Sequence, residues 1–371
     1  MTDGSIWARL DRLIKDCSST IDLLAHVTPT SESFEREKQR FLNGETDEPD
    51  FDYDDLQYDP ERMEQRLEAV EVPDGPVGDL YQRTIQELKA KNELVRHRGE
   101  PGTVRDRARE IYGEPSDELL DHARRLLEDH EPDDHERTPV SAEDARETFE
   151  SALERMELTD WETRYTDTTT VSVSPADKTI NVPEDRDFGT IEPIRLAVHE
   201  MLHAVRSANG YAQDYEIFGI GIAGYQDTEE GLATFLEEAT GYQDRREMRK
   251  YAARVIVTNN VQEGKSFDET FQELHEDYRI DEDRAFQYTA RGYRGGGFAK
   301  DHIYLQGYRE VKDYVEQGGD LRKLLRGKIP LEDVTAGKLD NIDGLHEPVY
   351  DHLALDQGLE PLFTGEGDAQ D

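Results

Sequence analysis

One segment, residues 191–210, constrains the fold of this chain more than any other. It reads IEPIRLAVHEMLHAVRSANG, and its apolar residues recur at intervals of three and four. Such spacing predicts an amphipathic helix with one buried face. Pro193 suits the first turn of that helix, and Asn209 followed by Gly210 suits its end.

The same helix carries His199, Glu200 and His203 in the pattern H-E-x-x-H. Residues four positions apart lie on one helix face, so both imidazoles can reach a single metal ion. Glu200 then lies beside the metal, where a carboxylate can take a proton from a water molecule. We predict a Zn²⁺ site with His199 and His203 as ligands and Glu200 as a catalytic residue. The alternative is a pair of surface histidines on an acidic helix.

A zinc site with one position open for water needs a third protein ligand. Residues 227–241 read DTEEGLATFLEEATG and predict a second helix, whose first turn carries Glu229 and Glu230. We predict Glu230 as the third ligand and Glu229 as a hydrogen-bond partner of a ligand histidine. Simple stabilisation of the helix N-terminus is the alternative for Glu229. Gly231 follows, and its small size would let the second helix pack close to the first.

A glycine-rich segment between the two helices, residues 219–224, reads GIGIAG and matches the dinucleotide pattern G-x-G-x-x-G. A dinucleotide site requires a strand directly before the glycines and a helix directly after them. Here Tyr225, Gln226 and Asp227 separate the glycines from the predicted helix. We therefore interpret the segment as a loop bordering a cleft, with a Rossmann site as the alternative.

A third cluster, residues 291–311, reads RGYRGGGFAKDHIYLQGYREV and is basic in a chain where basic residues are scarce. Three cations lie within its first ten positions: Arg291, Arg294 and Lys300. A cationic pocket suits a substrate carboxylate, which Arg can hold through two hydrogen bonds. Tyr304 would then donate to the oxyanion of a tetrahedral intermediate as a second catalytic residue. The alternative is a helix start with salt bridges to Asp301 and Glu310.

The motifs HEMLHAVRSANG, TEEGLA and RGYRGGGFAKDHIYLQG together resemble a family of proteins of unknown function with a QEGLA-type motif, which includes the microtubule-associated tyrosine carboxypeptidases. The segments FLNGETDEPDFDY, ELKAKNELVRHRGEP and EIYGEPSDELLDHA extend the resemblance over roughly residues 23–311. It implies a zinc metallocarboxypeptidase that removes the C-terminal residue, often an aromatic one, from a peptide or protein.

The resemblance also assigns roles to individual residues. His199, His203 and Glu230 match the metal ligands and Glu200 the catalytic glutamate. The substrate-side residues that match are Arg294, Lys300 and Tyr304. The chain departs from the characterised eukaryotic members, which have H-E-x-x-x-H with one more residue between the histidines. The tubulin substrate of those members is therefore not carried over to this chain.

Composition excludes several classes of partner. Among 371 residues, 85 are acidic and 44 basic, which gives a net charge of −41. Such a chain repels nucleic acid and anionic membranes, so we expect neither as a partner. The acid-rich, Lys-poor composition indicates adaptation to high salt and a haloarchaeal source.

Cys17 is the only cysteine, which excludes a disulfide within the chain. Without an apolar h-region or a run of about 18 apolar residues, we expect a cytoplasmic protein.

The order of patterns predicts an α+β fold with two domains. Residues 59–70, 77–95 and 117–127 predict helices, whereas residues 161–182 predict a β-hairpin or two adjacent strands around a turn at 175–178. We place an N-terminal helical domain at residues 1–139 and a zincin-like, Glu-type metallopeptidase domain at residues 140–371.

Two alternative functions remain. One is a zinc endopeptidase or other amide hydrolase, and the other is a non-catalytic regulatory protein with a structural zinc site. The oligomeric state is not predicted.

Overall fold

The computed structural model describes residues 4–129, 138–168 and 170–353. The chain divides into two compact units, and neither is continuous in sequence. The first unit comprises Met1–Glu131 and Arg245–Gln306, and the second comprises Pro132–Asp244 and Gly307–Asp371. The predicted boundary at residue 139 lies close to one of these divisions, but residues 245–306 belong to the first unit.

The first unit is helical throughout its described part. Its helices are α1 (Gly4–Ile21), α2 (Leu23–Val27), α3 (Ser31–Leu42), α4 (Pro60–Glu68), α5 (Pro76–Arg96), α6 (Pro101–Tyr112), α7 (Asp117–Glu128), α12 (Arg245–Glu263), α13 (Phe267–Gln272), α14 (Glu282–Gly297) and the start of α15 (Ile303–Glu316). A short π-helix, Glu273–Asp277, follows α13. The predicted helices at 59–70, 77–95 and 117–127 are confirmed as α4, α5 and α7.

Aromatic packing explains why residues 245–306 join the N-terminal helices. The ring of Phe41 on α3 lies 5.0 Å from Phe267, 4.8 Å from Phe271 and 5.5 Å from Phe286, centroid to centroid. All four side chains are buried. Aromatic side chains bury large apolar areas and dominate the energetics of such a core. The two halves of the first unit therefore share one hydrophobic core.

The second unit combines helices with one small sheet. Its elements are α8 (Ala142–Arg155), β1 (Glu162–Thr166), β2 (Ser172–Ser174), β3 (Thr179–Pro183), α9 (Glu192–Tyr211), α10 (Ile217–Ile220), α11 (Tyr225–Ala239), the remainder of α15, α16 (Leu321–Leu325) and α17 (Leu331–Thr335). The described chain is thus mostly helical with three strands, in agreement with the predicted α+β class. No helix in the described residues is long and apolar enough to cross a membrane.

The sheet has the order β1-β3-β2. β2 and β3 pair antiparallel across the turn at residues 175–178, which confirms the predicted hairpin. β1 pairs with β3 in parallel, with Glu162 opposite Thr179. The central strand β3 buries Ile180 and Val182 completely, and α8 packs against both the sheet and α9. The sheet and α8 together support one face of α9.

Helix α9 runs past its predicted end at Asn209-Gly210 and stops at Tyr211. Asn209 is buried within the helix, where its amide donates to the carbonyls of Leu325 and Tyr350. Gly210 is required for close packing, because a Cβ there would lie 2.2 Å from the carbonyl oxygen of Phe218. Both residues thus serve tertiary contacts, and they do not end the helix.

Gly231 also serves close packing, but against a different helix from the one predicted. A Cβ at Gly231 would lie 2.1 Å from the carbonyl carbon of Gly307. This glycine pair brings α11 against α15, whereas the sequence predicts that Gly231 faces α9. The contact sets the position of the first turns of α11, which carry Glu229 and Glu230.

Candidate metal centre

Helix α9 presents His199, Glu200 and His203 toward α11, against which it packs. His199 is 8% exposed and Glu200 is 7% exposed, while His203 is partly buried. The two imidazole rings lie 5.0 Å apart at 71°. These are not two surface histidines, because burial and mutual proximity direct both rings into one site.

Glu230 on α11 completes a set of three potential metal-binding side chains. One ligand atom from each of His199, His203 and Glu230 lies within 4.8 Å of the other two. The distance from Nε2 of His199 to a carboxylate oxygen of Glu230 is 3.5 Å. Donor atoms bound to one Zn²⁺ ion at about 2 Å are separated by distances of this order.

Each histidine is oriented by a buried carboxylate. Nδ1 of His199 lies 2.7 Å from Oε1 of Glu237, and Nδ1 of His203 lies 3.0 Å from Oε1 of Glu229. Glu237 is fully buried and Glu229 is 5% exposed. A carboxylate that accepts a hydrogen bond from Nδ1–H leaves Nε2 of the neutral imidazole as the metal donor.

Each of these carboxylates is bound in turn by a buried arginine. Arg195 donates to Oε1 of Glu237 over 3.2 Å, and Arg206 donates to Oε2 of Glu229. The fully buried Arg206 also donates to the carbonyls of Leu324, Gly327 and Ile329. The second unit therefore contains two hydrogen-bonded series, His199–Glu237–Arg195 and His203–Glu229–Arg206, in which α9 supplies the histidine and the arginine and α11 supplies the glutamate.

The charges of the site favour a cation. It contains four carboxylates, Glu200, Glu229, Glu230 and Glu237, against the basic residues Arg195, Arg206 and Lys328. Burial alone would lower the pKa of His199, but hydrogen bonds to Glu230 and Glu237 outweigh it and raise the pKa to about 10. Without a metal, this imidazole therefore carries the positive charge that the carboxylates require.

Glu229 and Glu200 differ in their electrostatic surroundings. Burial alone would raise the pKa of Glu229, but Arg206 and His203 outweigh it and lower the pKa to about 2. Burial raises the pKa of Glu200 above its ordinary value, although His203 and His199 oppose the rise. Glu229 is therefore a permanent anion, whereas Glu200 has the environment of a group that exchanges protons.

Two imidazoles and one carboxylate form a donor set that suits zinc, and the Nδ1 atoms already have partners. The residues present therefore fit a divalent metal. Of the predicted site residues, the structure brings together His199, Glu200, His203, Glu229 and Glu230.

The predicted substrate-side residues belong to the first unit. Arg291 forms an ion pair with Asp301, and Arg294 lies 3.9 Å from the same carboxylate. Lys300 is 6% exposed and lies over the ring of Tyr112 at 5.3 Å. The salt bridge to Asp301, which the sequence analysis gave as the alternative, is therefore the contact that Arg291 makes.

Tyr304 stacks on Tyr251 with ring centroids 5.1 Å apart, and Arg254 lies over the Tyr304 ring. Arg254 also lies 3.9 Å from Asp301. The pKa of Asp301 is held well below its ordinary range: burial opposes this, and Arg291, Arg254 and Arg294 outweigh burial. The cluster thus carries several arginines around one carboxylate.

The glycine-rich segment 219–224 is not a dinucleotide site. It is preceded by the short helix α10 and not by a strand. Helix α11 follows directly at Tyr225, earlier than predicted, and Gly224 is its left-handed N-cap. Gly221 has φ +121°, and a Cβ there would lie 2.5 Å from the ring of Tyr225. These glycines therefore allow a close backbone approach to an aromatic ring.

Sequence reasoning missed Glu237, Arg195 and Arg206. The helical spacing of the sequence could have indicated them, because Arg195 precedes His199 by four positions and Arg206 follows His203 by three. Glu237 follows Glu230 by seven positions, which is two helical turns. Each therefore lies on the same helix face as a predicted site residue.

Comparison with known proteins identifies the family to which the chain belongs. A search of curated proteins found no match. A family model described as microtubule-associated tyrosine carboxypeptidase matches residues 38–362, which include both helices of the candidate metal centre. Because the match covers most of the 371 residues, the chain belongs to the microtubule-associated tyrosine carboxypeptidase family.

Proposed function

We propose that this protein is a zinc metallocarboxypeptidase that hydrolyses the C-terminal peptide bond of a peptide or protein and prefers an aromatic last residue. The family description supports carboxypeptidase chemistry. The proximity of His199, His203 and Glu230 carries the proposal, since their donor atoms lie within 4.8 Å of one another.

These three side chains would hold the zinc ion. A bound zinc ion would act as a Lewis acid on the scissile carbonyl and on the attacking water. Glu237 and Glu229 orient the two histidines through Nδ1. This support keeps the donor atoms in place before metal and substrate bind, which is the main requirement of such a site.

Glu200 is the proposed general base. It accepts a proton from the attacking water and later returns that proton to the leaving amine. Its burial on α9, directly beside a ligand histidine, matches the role of the glutamate in H-E-x-x-H metallopeptidases. In this proposal the second unit is accordingly a zincin-like catalytic domain of the Glu type, with Glu230 on α11 as the third ligand.

The substrate-side roles that the sequence predicts remain part of the proposal. Arg291, Arg294 and Lys300 would bind the substrate carboxylate, and Tyr304 would donate to the oxyanion. Burial lowers the pKa of Arg294 to about 10, so its guanidinium remains charged at neutral pH. A charged, buried arginine is suited to an anionic substrate group.

The experiment is a peptide digest analysed by mass spectrometry. Zinc-loaded protein in molar KCl is incubated with peptides that differ only in the last residue, beside the variants Glu200→Gln and Glu147→Gln. Glu147 is an exposed glutamate of α8 and serves as the matched control. We expect the wild type and Glu147→Gln to remove one C-terminal residue, fastest when it is aromatic, and Glu200→Gln to be inactive with zinc still bound.

Other outcomes identify the alternatives. Internal cuts, or equal cleavage of peptides with an amidated C-terminus, would indicate an endopeptidase or another amide hydrolase. Absence of any cleavage with zinc bound would favour a structural metal site. Unchanged hydrolysis by Glu200→Gln would refute the proposed mechanism.

A further inference from the structure

The first unit contains a pocket of about 120 Å³ with a predominantly basic lining. Five of its lining residues are cations and one is an anion: Arg246, Arg249, Lys250, Arg279, Arg284 and Asp281. The whole chain has 44 basic and 85 acidic residues. Composition therefore does not account for this concentration of positive charge, which we call the basic pocket.

Two helix N-termini border the basic pocket. Helix α12 begins with the sequence RREMRK, so its first turns are basic. Helix α14 begins after Asp281, whose carboxylate accepts from the backbone N–H of Arg284 over 3.0 Å. Because the N-terminus of a helix carries partial positive charge, cations there are unfavourable unless an anion compensates them. Carboxylates of the protein compensate two of these cations: Glu247 pairs with Lys250, and Asp281 pairs with Arg284 over 3.3 Å.

Arg249 brings a positive charge that its own hydrogen bonds do not neutralise. One of its terminal nitrogens donates to the carbonyls of Leu126, Leu127 and Asp129 over 3.1, 2.6 and 2.5 Å. The other donates to the carbonyl of Tyr278 over 3.3 Å. Carbonyl groups are neutral dipoles, so these bonds hold the guanidinium in position without neutralising it. The nearest carboxylate that acts on it is that of Asp129, which also forms an ion pair with Arg245.

Arg279 reaches the pocket at a conformational cost. Its φ of +54° lies in the left-handed region, which residues other than glycine rarely adopt. It lies in the short connection between the π-helix and α14. Residues held in such conformations are concentrated at ligand-binding and catalytic sites.

We propose that the basic pocket binds the phosphate group of a small anion, either inorganic phosphate or a phosphomonoester. Several guanidinium forks around one cavity match an anion with a double charge and several exposed oxygens, whereas a carboxylate occupies only one fork. Tyr288 lines the same pocket. The volume of about 120 Å³ admits a phosphate group with a short substituent.

The test is calorimetric titration of the full chain with inorganic phosphate and, separately, with glycerol phosphate, at an ionic strength held constant with KCl. The variants are Arg279→Gln, Arg246→Gln and Lys250→Gln, with Arg107→Gln on α6 as a partly exposed control in the same unit. We expect saturable binding to the wild type and the control. Each pocket variant is expected to weaken it about tenfold, the effect of one charge-assisted hydrogen bond.

The two titrants distinguish the sources of the phosphate group. Binding of glycerol phosphate alone identifies an ester as the ligand, and tighter binding of inorganic phosphate identifies the free ion. Saturable binding of neither would overturn the proposal, and so would equal affinities in the wild type and all three pocket variants. Thermal unfolding of each variant shows whether it is folded, and any one folded pocket variant suffices for the comparison. The measurement needs no catalytic activity, so its outcome is independent of the metallopeptidase proposal.

Discussion

Removing the charge of Glu237 tests the support of the candidate metal centre. In the wild type, Nδ1 of His199 lies 2.7 Å from the carboxylate of Glu237. In the variant Glu237→Gln, the amide oxygen can still accept that hydrogen bond, but the negative charge is lost. Glu237 is fully buried and its partner Arg195 is 6% exposed. The variant therefore removes the buried carboxylate that Arg195 contacts.

The structure indicates the size of the effect. Breaking a buried ion pair by removing one partner costs about 3–5 kcal/mol. Because the amide oxygen still accepts a hydrogen bond from Arg195, we expect a loss near the lower end, about 3 kcal/mol. Loss of a carboxylate behind a ligand histidine typically weakens metal binding about 10–100-fold.

Two measurements check these values. Urea unfolding of the metal-free protein, in the presence of a chelator, gives the stability change without a contribution from metal binding. Competition with a zinc chelator gives the metal affinity. Glu238→Gln is the matched control, because the neighbouring Glu238 pairs with the half-exposed Lys312 and such pairs contribute about 0–1 kcal/mol. Equal stability and equal zinc affinity of Glu237→Gln and Glu238→Gln would refute the reasoning.

Three further predictions concern packing, buried amides and pH. Gly231→Ala, whose Cβ would meet the backbone of Gly307, is expected to destabilise the protein by about 3 kcal/mol or more in urea unfolding, whereas Gly102→Ala, with no atom within 4 Å of its Cβ, is expected to be neutral or stabilising. Asn209→Ala removes four hydrogen bonds of 2.8–2.9 Å and is expected to cost about 3 kcal/mol; a loss below about 1 kcal/mol would contradict their importance. Burial lowers the pKa of His302 from 6.5 to about 4, so the unfolded state binds the additional proton. Its contribution to stability is therefore complete above pH 6.5 and is lost as the pH falls toward 4, by up to about 3 kcal/mol. His302→Gln should remove that part of the pH dependence, and an unchanged stability difference between the two proteins from pH 7 to pH 4 would contradict the assignment.

Local sequence patterns predicted the elements whose cause is local. The H-E-x-x-H pattern places two histidines on one face of a single helix, and α9 is that helix. By contrast, which carboxylate reaches which histidine depends on how α11 crosses α9. Glu237 was therefore beyond prediction from the spacing of α9 alone, although its position two turns after Glu230 is compatible with the site.

Other features depend on contacts between distant segments. The parallel pairing of β1 with β3 skips β2, so no pattern within the strands indicates it. Helix α3 was not predicted, because its buried face includes Ser33 and Glu37, which conceal the apolar periodicity. Arg36 and Arg40 neutralise Glu37 there at 2.9 Å. The division of the chain into units follows from the contact of Phe41 with aromatic residues more than 200 positions later.

The hydrogen bonds of Arg206 have a consequence for biosynthesis. Its acceptors Leu324, Gly327 and Ile329 emerge from the ribosome 118 to 123 residues after Arg206 itself. Until they emerge, the guanidinium that holds Glu229, and through it His203, lacks most of its partners. A nascent chain that ends before Leu324 therefore contains all three potential zinc ligands but lacks the backbone contacts that fix one of them. Assembly of this centre is thus expected to wait until these carbonyls have emerged, and a chain stalled shortly before this point should acquire zinc poorly.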